Sequence, residues 1–420
     1  MSKSDTYADA EHFLLAHLLP DPEQVLLARA NAIHERVLTL DTHKDIDPKL
    51  APESLPEDPA TREQFRRKFD PAVRGDQQVD FPKMREGHYD CAFFIVYTGQ
   101  RQLSPAGYAD ALRQANAKFD AIDRMVRLNS DTIGLATSPD QVVKLHRAGK
   151  LICCIGIENG YPMGEDLSRI EEFHRRGARY MSLAHNEHSQ LGDSHTPAEP
   201  LHGGLSELGR KAIAEMNRVG IMVDVSHAAK STMLQAVAAS TAPVIASHSG
   251  CRALCDHTRN LDDEQLRALA ANGGVIQCVA LGSFLVDATA RDAAMADLKQ
   301  RLGIGRAADE PAPGDDVETR MQRYAEGMKE IDAKYPPANV KNLVDHIDHA
   351  VEVAGIDHVG IGSDFDGGGG IDGWRNASET ANVTIELLRR GYTEAEIGKI
   401  WSGNLLRVWR QVEQHATAKR

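Results

Sequence analysis

A chain of 420 residues, 42% hydrophobic and 26% charged, has a globular composition and is long enough for one large domain or two ordinary ones. Its 48 Lys and Arg stand against 61 Asp and Glu, a net charge of −13 with no local basic cluster, which argues against nucleic acid or an anionic membrane as partner. No apolar run reaches the roughly 18 residues of a membrane span.

The first thirty residues read as a short amphipathic helix, Pro20, then a second helix, an expected extension over 1–36. The acidic start lacks a secretory signal's basic region and cleavage site. Cys91, Cys153, Cys154, Cys251, Cys255 and Cys278 contain no CxxC pair and read as buried free thiols. Both features point to the cytoplasm; a periplasmic or secreted location would require a signal already removed.

Eight short apolar runs follow, most of them ending in a polar tip: VLTLD (37–41), CAFFIVY (91–97), LICCIGI (151–157), RYMSLA (179–184), IMVDVS (221–226), PVIAS (243–247), GVIQCVA (274–280) and HVGIG (358–362). Amphipathic helical patterns lie between them, over 166–177, 206–220, 262–274 and 342–355, with Gly177, Gly220, Gly273 and Gly355 where helix C-caps belong. Alternation of strand and helix implies parallel strands with right-handed crossovers. Eight such units predict an α/β fold of the (β/α)8 TIM-like barrel type, although a doubly wound sheet also alternates; the armed strand ends favour the barrel. Excursions over 47–78 and about 286–337 lack core-forming residues, so the chain is expected to be one catalytic barrel domain over 1–420 with the second excursion as an insertion.

Function in such a barrel gathers at the C-terminal strand ends. Here these carry Asp41, His43 and Asp45, then Glu158, His185, His227, His248 and finally Asp364 and Asp366. Simple alternation puts Asp41, His43 and Asp45 on one face, and Thr42 and Lys44 on the other. A carboxylate at Glu158, among apolar neighbours, is costly unless paired or coordinated. Three histidines and two carboxylates (His43, His227, His248, Asp45 and Glu158) suit a borderline divalent metal, zinc first, with manganese or cobalt able to substitute. Five ligands exceed one open tetrahedral site and fit two metals bridged by a carboxylate. A carbamylated Lys44 is a rival bridge, disfavoured because Lys44 faces away. His346 and His349 read as a solvated helix face, His188, His195 and His202 as a loop able to line the site, and the glycines of 366–370 as a flexible connection.

In order, "DTHKD", "GIENG", "LAHN", "DVSH", "ASHS" with "TRN" after it, "GIGSDFDG" and "ELLRRGYTEAEIGKIWSGNLLRVW" resemble the membrane (renal) dipeptidase family, peptidase family M19, as a bacterial-type member. The resemblance runs from about Leu38 to about Val412. It implies a barrel of the metal-dependent hydrolase (amidohydrolase-like) type, with one zinc on His43 and Asp45, a second on His227 and His248, Glu158 bridging, and a bridging hydroxide that attacks the peptide carbonyl of a small dipeptide. It further implies Asp364 as acid/base, His185 on the scissile carbonyl, Arg259 on the substrate carboxylate, and a homodimer. The stretch "QCVALGSF" departs from the family in lacking a tyrosine that helps hold that carboxylate. Hydrolysis of N-acyl amino acids or lactones, and a non-hydrolytic tailoring or binding role in biosynthesis, stay open as alternatives on the same scaffold.

Overall fold

The computed structural model describes residues 21–304 and 317–418. Its centre is a nine-stranded parallel sheet: β1 Leu40–Asp45, β2 Cys91–Tyr97, β3 Ile133–Leu135, β4 Leu151–Glu158, β5 Ala178–Ser182, β6 Met222–Asp224, β7 Ile245–Ser249, β8 Val275–Val279 and β9 Val359–Gly362. The path runs β1-β2-β4-β5-β6-β7-β8-β9. It nearly closes, because the Asp364 N–H donates to the His43 carbonyl (3.0 Å) and the Asp45 N–H to that of Phe365 (2.8 Å). The expected barrel is therefore present. The additional β3 pairs with the start of β4, at Leu151, before β5 takes over that edge at Ile155. At three residues with a central Gly134 it is too short to show as an apolar run.

Local chemistry sets the helix boundaries. Asp21, Asp58, Ser104 and Ser138 each cap a helix whose next residue is proline, a start that wastes no backbone donor. The four glycines expected at helix C-termini all adopt positive φ, from 81° to 101°. The helix Pro22–His34 falls within the anticipated extension; its first part lies outside the described residues. The excursion over 286–337 holds the helices Thr289–Arg301 and Val317–Lys334, tied by Arg291 to Asp332 (2.7 Å) and to the Tyr335 carbonyl (2.6 Å).

Alternation on the strands separates two apolar layers. Cys91, Phe93, Cys154, Tyr180, Met222 and Ile245 fill the barrel, and Leu405, Val408, Trp409 and Val412 of the last helix, Asn404–Ala418, close its lower end. Ala92, Phe94, Cys153, Ile155 and Val223 face outward beneath the surrounding helices. The adjacent Cys153 and Cys154 thus point to opposite faces, and all six cysteines are buried free thiols. Burial on both faces explains why these strands read as unbroken apolar runs.

One register slip shapes the site. Asp41 pairs with Ala92 but Lys44 with Phe94, so β1 spends an extra residue between them. Asp41 therefore does not share a face with His43, as strict alternation would have it. Its carboxylate turns outward to accept from the Tyr89 hydroxyl and the Ser363 N–H (2.7 Å), while Thr42 turns inward and donates to the Ser247 carbonyl (2.6 Å).

Candidate metal centre

The upper end of the barrel opens into a cavity of about 610 Å³. β1 delivers His43 and Asp45, β4 ends on Glu158, and β7 carries His248. His185, His227 and Asp364 sit just past β5, β6 and β9. Asn159, His227 and Asp364 have φ of 74°, 66° and 59°, a region costly for residues with a Cβ. The strain aims the side chains of His227 and Asp364 back across the mouth.

Glu158 lies at the middle and is divided. Its Oε2 is 3.5 Å from His43 Nε2, which is also 3.5 Å from Asp45 Oδ2 and 3.8 Å from Asp364 Oδ1. Its Oε1 is 2.9 Å from His227 Nε2, 3.5 Å from His248 Nε2 and 3.6 Å from His185 Nε2. Two groups capable of holding a cation share this carboxylate: His43, Asp45 and Glu158, and Glu158, His185 and His227. His43, His248 and Asp364 form a third overlapping group.

His43, His227 and His248 are each oriented through the other ring nitrogen. Tyr180 donates to the Thr42 carbonyl (2.8 Å), so its oxygen accepts from His43 Nδ1 (3.1 Å). Ser247 donates to Asp224 (2.6 Å) and accepts from His248 Nδ1 (2.8 Å). Asn186 Oδ1 accepts from His227 Nδ1 (3.2 Å). These partners assign the proton to Nδ1 and turn three Nε2 lone pairs inward. The Nε2 atoms of His227 and His248 are 2.9 Å apart, and that of His43 is buried without a hydrogen-bond partner. Lone pairs gathered so closely repel unless a cation lies among them. Donors on one tetrahedral zinc stand roughly 3.3 Å apart, close to the spacings here, so the residues fit a borderline divalent metal. Tyr180→Phe should lower metal affinity about 10- to 100-fold with the fold intact, measured by competition with a chromophoric chelator; unchanged affinity would remove the tyrosine from this role.

Burial pushes the Asp364 carboxyl up to about 7, reinforced by Asp45 and Glu158 against the opposing His43. His227 and His248 are lowered, chiefly by burial.

The other residues singled out from the sequence lie around this cluster, several of them in settings the sequence does not predict. Lys44 points out of the barrel to Asp366 (3.2 Å), so it lies on no bridge between metals. Asp366 is further pinned by the Gln78 backbone N–H (2.8 Å). Arg259 is buried behind His248: two of its donors go to Ser249 Oγ and the His248 carbonyl, both at 2.6 Å, and its Nε has no partner. The glycines of 366–370 form a hydrogen-bonded turn around the Asp364 carbonyl rather than a loose connection; a Cβ at Gly367 would strike the carboxylates of Asp45 and Asp364. His346 is buried, not on a solvated face: its Nδ1 accepts from the Cys251 N–H (2.9 Å) and its Nε2 donates to the Leu285 carbonyl (3.0 Å). His349 pairs with Asp263 (2.8 Å). His188 and His202 brace their own loop through Glu199 and Ser189, and only His195 of that loop approaches the centre, its ring 5.9 Å from that of His227.

Tyr97, Lys118, Lys68 and Asn186 also line the cavity and escape a reading of strand tips. Tyr97 does end an apolar run, and Asn186 follows His185 directly, so both had a signal. The two lysines sit in helical segments, where nothing in the sequence turns them toward the site.

The sequence profile described as membrane dipeptidase (peptidase family M19) matches residues 27–420. Dipeptidase tcpJ of Claviceps purpurea is 32% identical over 358 residues, covering 84% of this chain and 73% of its own. Dipeptidase 3 of Rattus norvegicus is 31% identical over 347 residues, 81% of this chain and 59% of its own. The crystal structure of the probable dipeptidase PvdM from Pseudomonas aeruginosa matches with a TM-score of 0.79 at 32% identity, over 94% of this chain and 100% of that one. A metallo peptidase from Rhodobacter sphaeroides, liganded with a phosphinate mimic of L-Ala-D-Ala, shares the fold at 23% identity with a TM-score of 0.67. The chain belongs to the membrane dipeptidase family, peptidase family M19, and is a metal-dependent dipeptidase.

Proposed function

We propose that this enzyme hydrolyses small dipeptides, including those with a D-residue at the C-terminal side, at a centre of two zinc ions. The observation that carries the reading is the division of Glu158, one carboxylate oxygen toward His43 and Asp45 and the other toward His227 and His248. That is the arrangement a bridging ligand requires. Bound zinc would supply Lewis acidity for the scissile carbonyl and lower the pKa of a water.

The chain's own groups do the rest. Asp364, buried on the cavity wall and fixed by the turn that follows it, takes the water's proton and returns it to the leaving amine. His185, its ring 4.8 Å from that of Tyr97, hydrogen-bonds the carbonyl oxygen as negative charge develops there. Arg259 offers the donors left over from Ser249 and His248, Nε among them, to the substrate carboxylate. Phe284 stands 5.7 Å from its guanidinium, in the stretch where the family carries an aromatic-rich segment. A homodimer, implied by the family resemblance, is tested by sedimentation.

Zinc-loaded protein should release free amino acids from a dipeptide panel that contains L-D stereoisomers. Full metal occupancy with no release from any dipeptide, or faster turnover of N-acyl or lactone substrates, would contradict the proposal.

A further inference from the structure

We propose that Lys118 is a specificity-determining residue that selects dipeptides whose first residue bears an acidic side chain. The inference rests on the dipeptidase reading above and names its substrate class. Lys118 rises from the long helix Pro105–Leu128, whose neighbouring Ala115, Phe119 and Ile122 are in the core. Its side chain is only 12% exposed, and it lines the cavity. Its ammonium stands 3.9 Å from Asp45 Oδ1, too far for a hydrogen bond, and 5.2 Å from the centre of the Tyr97 ring. No hydrogen bond of Nζ appears among the described residues. A largely buried ammonium with unspent donors is costly unless an anion meets it.

The carboxylates on this wall are already committed. Asp45 and Glu158 belong to the metal groups, Asp366 pairs with Lys44, and Asp47 accepts from the Lys49 N–H (2.7 Å). Lys68 adds a second cation from the helix Pro59–Phe69. Topology supplies the direction. Lys118 sits over the tips of β1 and β2, whereas Arg259 follows β7 and packs toward Phe284 beyond β8. In the strand order, β2 and β7 stand across the mouth from each other. A dipeptide with its α-carboxylate toward Arg259 therefore extends its amino-terminal residue toward Lys118. An Asp or Glu side chain there meets the Lys118 ammonium.

The test compares zinc-loaded wild type, Lys118→Met, Lys118→Arg and Lys118→Glu on glutamyl-, leucyl- and lysyl-alanine, with zinc content measured alongside. Wild type should prefer the glutamyl substrate. In Lys118→Met the glutamyl-to-leucyl ratio of kcat/KM should fall about 10- to 100-fold, chiefly through KM, as for a lost charge-assisted hydrogen bond. Lys118→Arg should retain the preference and Lys118→Glu should shift it toward lysyl-alanine. An unchanged ratio in Lys118→Met overturns the inference, as does an equal loss on all three substrates with loss of zinc, which would make Lys118 a positioning group for Asp45. Wild type that hydrolyses leucyl-alanine without acidic preference refutes this inference alone. Wild type that holds zinc and hydrolyses no dipeptide refutes the underlying function as well.

Discussion

Asp364→Asn should lower kcat about 10²- to 10⁴-fold while bound metal stays at the wild-type level. The substitution keeps the shape of the side chain and removes its capacity to take a proton. The backbone should tolerate it, since asparagine is among the residues best suited to the left-handed φ of 59° found there. The local frame does not depend on the carboxylate: the Asp364 N–H is held by the His43 carbonyl (3.0 Å), and its own carbonyl accepts from Gly367 (3.1 Å) and Gly369 (2.8 Å). Amino-acid release measures the rate and elemental analysis the metal. Near-normal turnover would move the acid/base role elsewhere, and loss of metal would make Asp364 a ligand instead.

The second large effect is expected at Glu158→Gln, with metal content falling by about one ion per chain or more and kcat by about 10³-fold or more. The amide is neutral and keeps one acceptor oxygen, whereas Glu158 presents oxygens to both histidine groups. Its NH2 group would face Nε2 atoms that are themselves ligands. Because Glu158 is 4% exposed, water cannot replace the lost charge. Wild-type metal content in this variant would contradict a bridging role.

Most of the barrel and the side chains gathered at its mouth were legible because their signals are local. Strands buried on both faces read as unbroken apolar runs, and a charged or imidazole side chain closing such a run at Glu158, His227 or His248 has few structural reasons to be there. What escaped depends on non-local geometry. Strict alternation misplaced Asp41 and Thr42 because the extra residue in β1 is visible only against β2. His346 reads as part of a solvated helix face because Asp345 and Asp348 stand beside it in the sequence, yet that helix packs on the loops after β7 and β8, where the imidazole satisfies two backbone groups. Gly367 is required by the carboxylates of Asp364 and of Asp45, the latter on a strand distant in sequence, and Gly369 by the Ser363 carbonyl. Lys118 is one lysine in a 24-residue helix, and only the tertiary arrangement turns it over the mouth.

Anomalous scattering at the zinc edge from crystals of the zinc-loaded protein is the most direct test of the centre. Two peaks are expected on either side of Glu158, one beside His43 and Asp45 and the other beside His227 and His248. A single peak, or zinc held elsewhere while these side chains bond only to one another, would contradict the account.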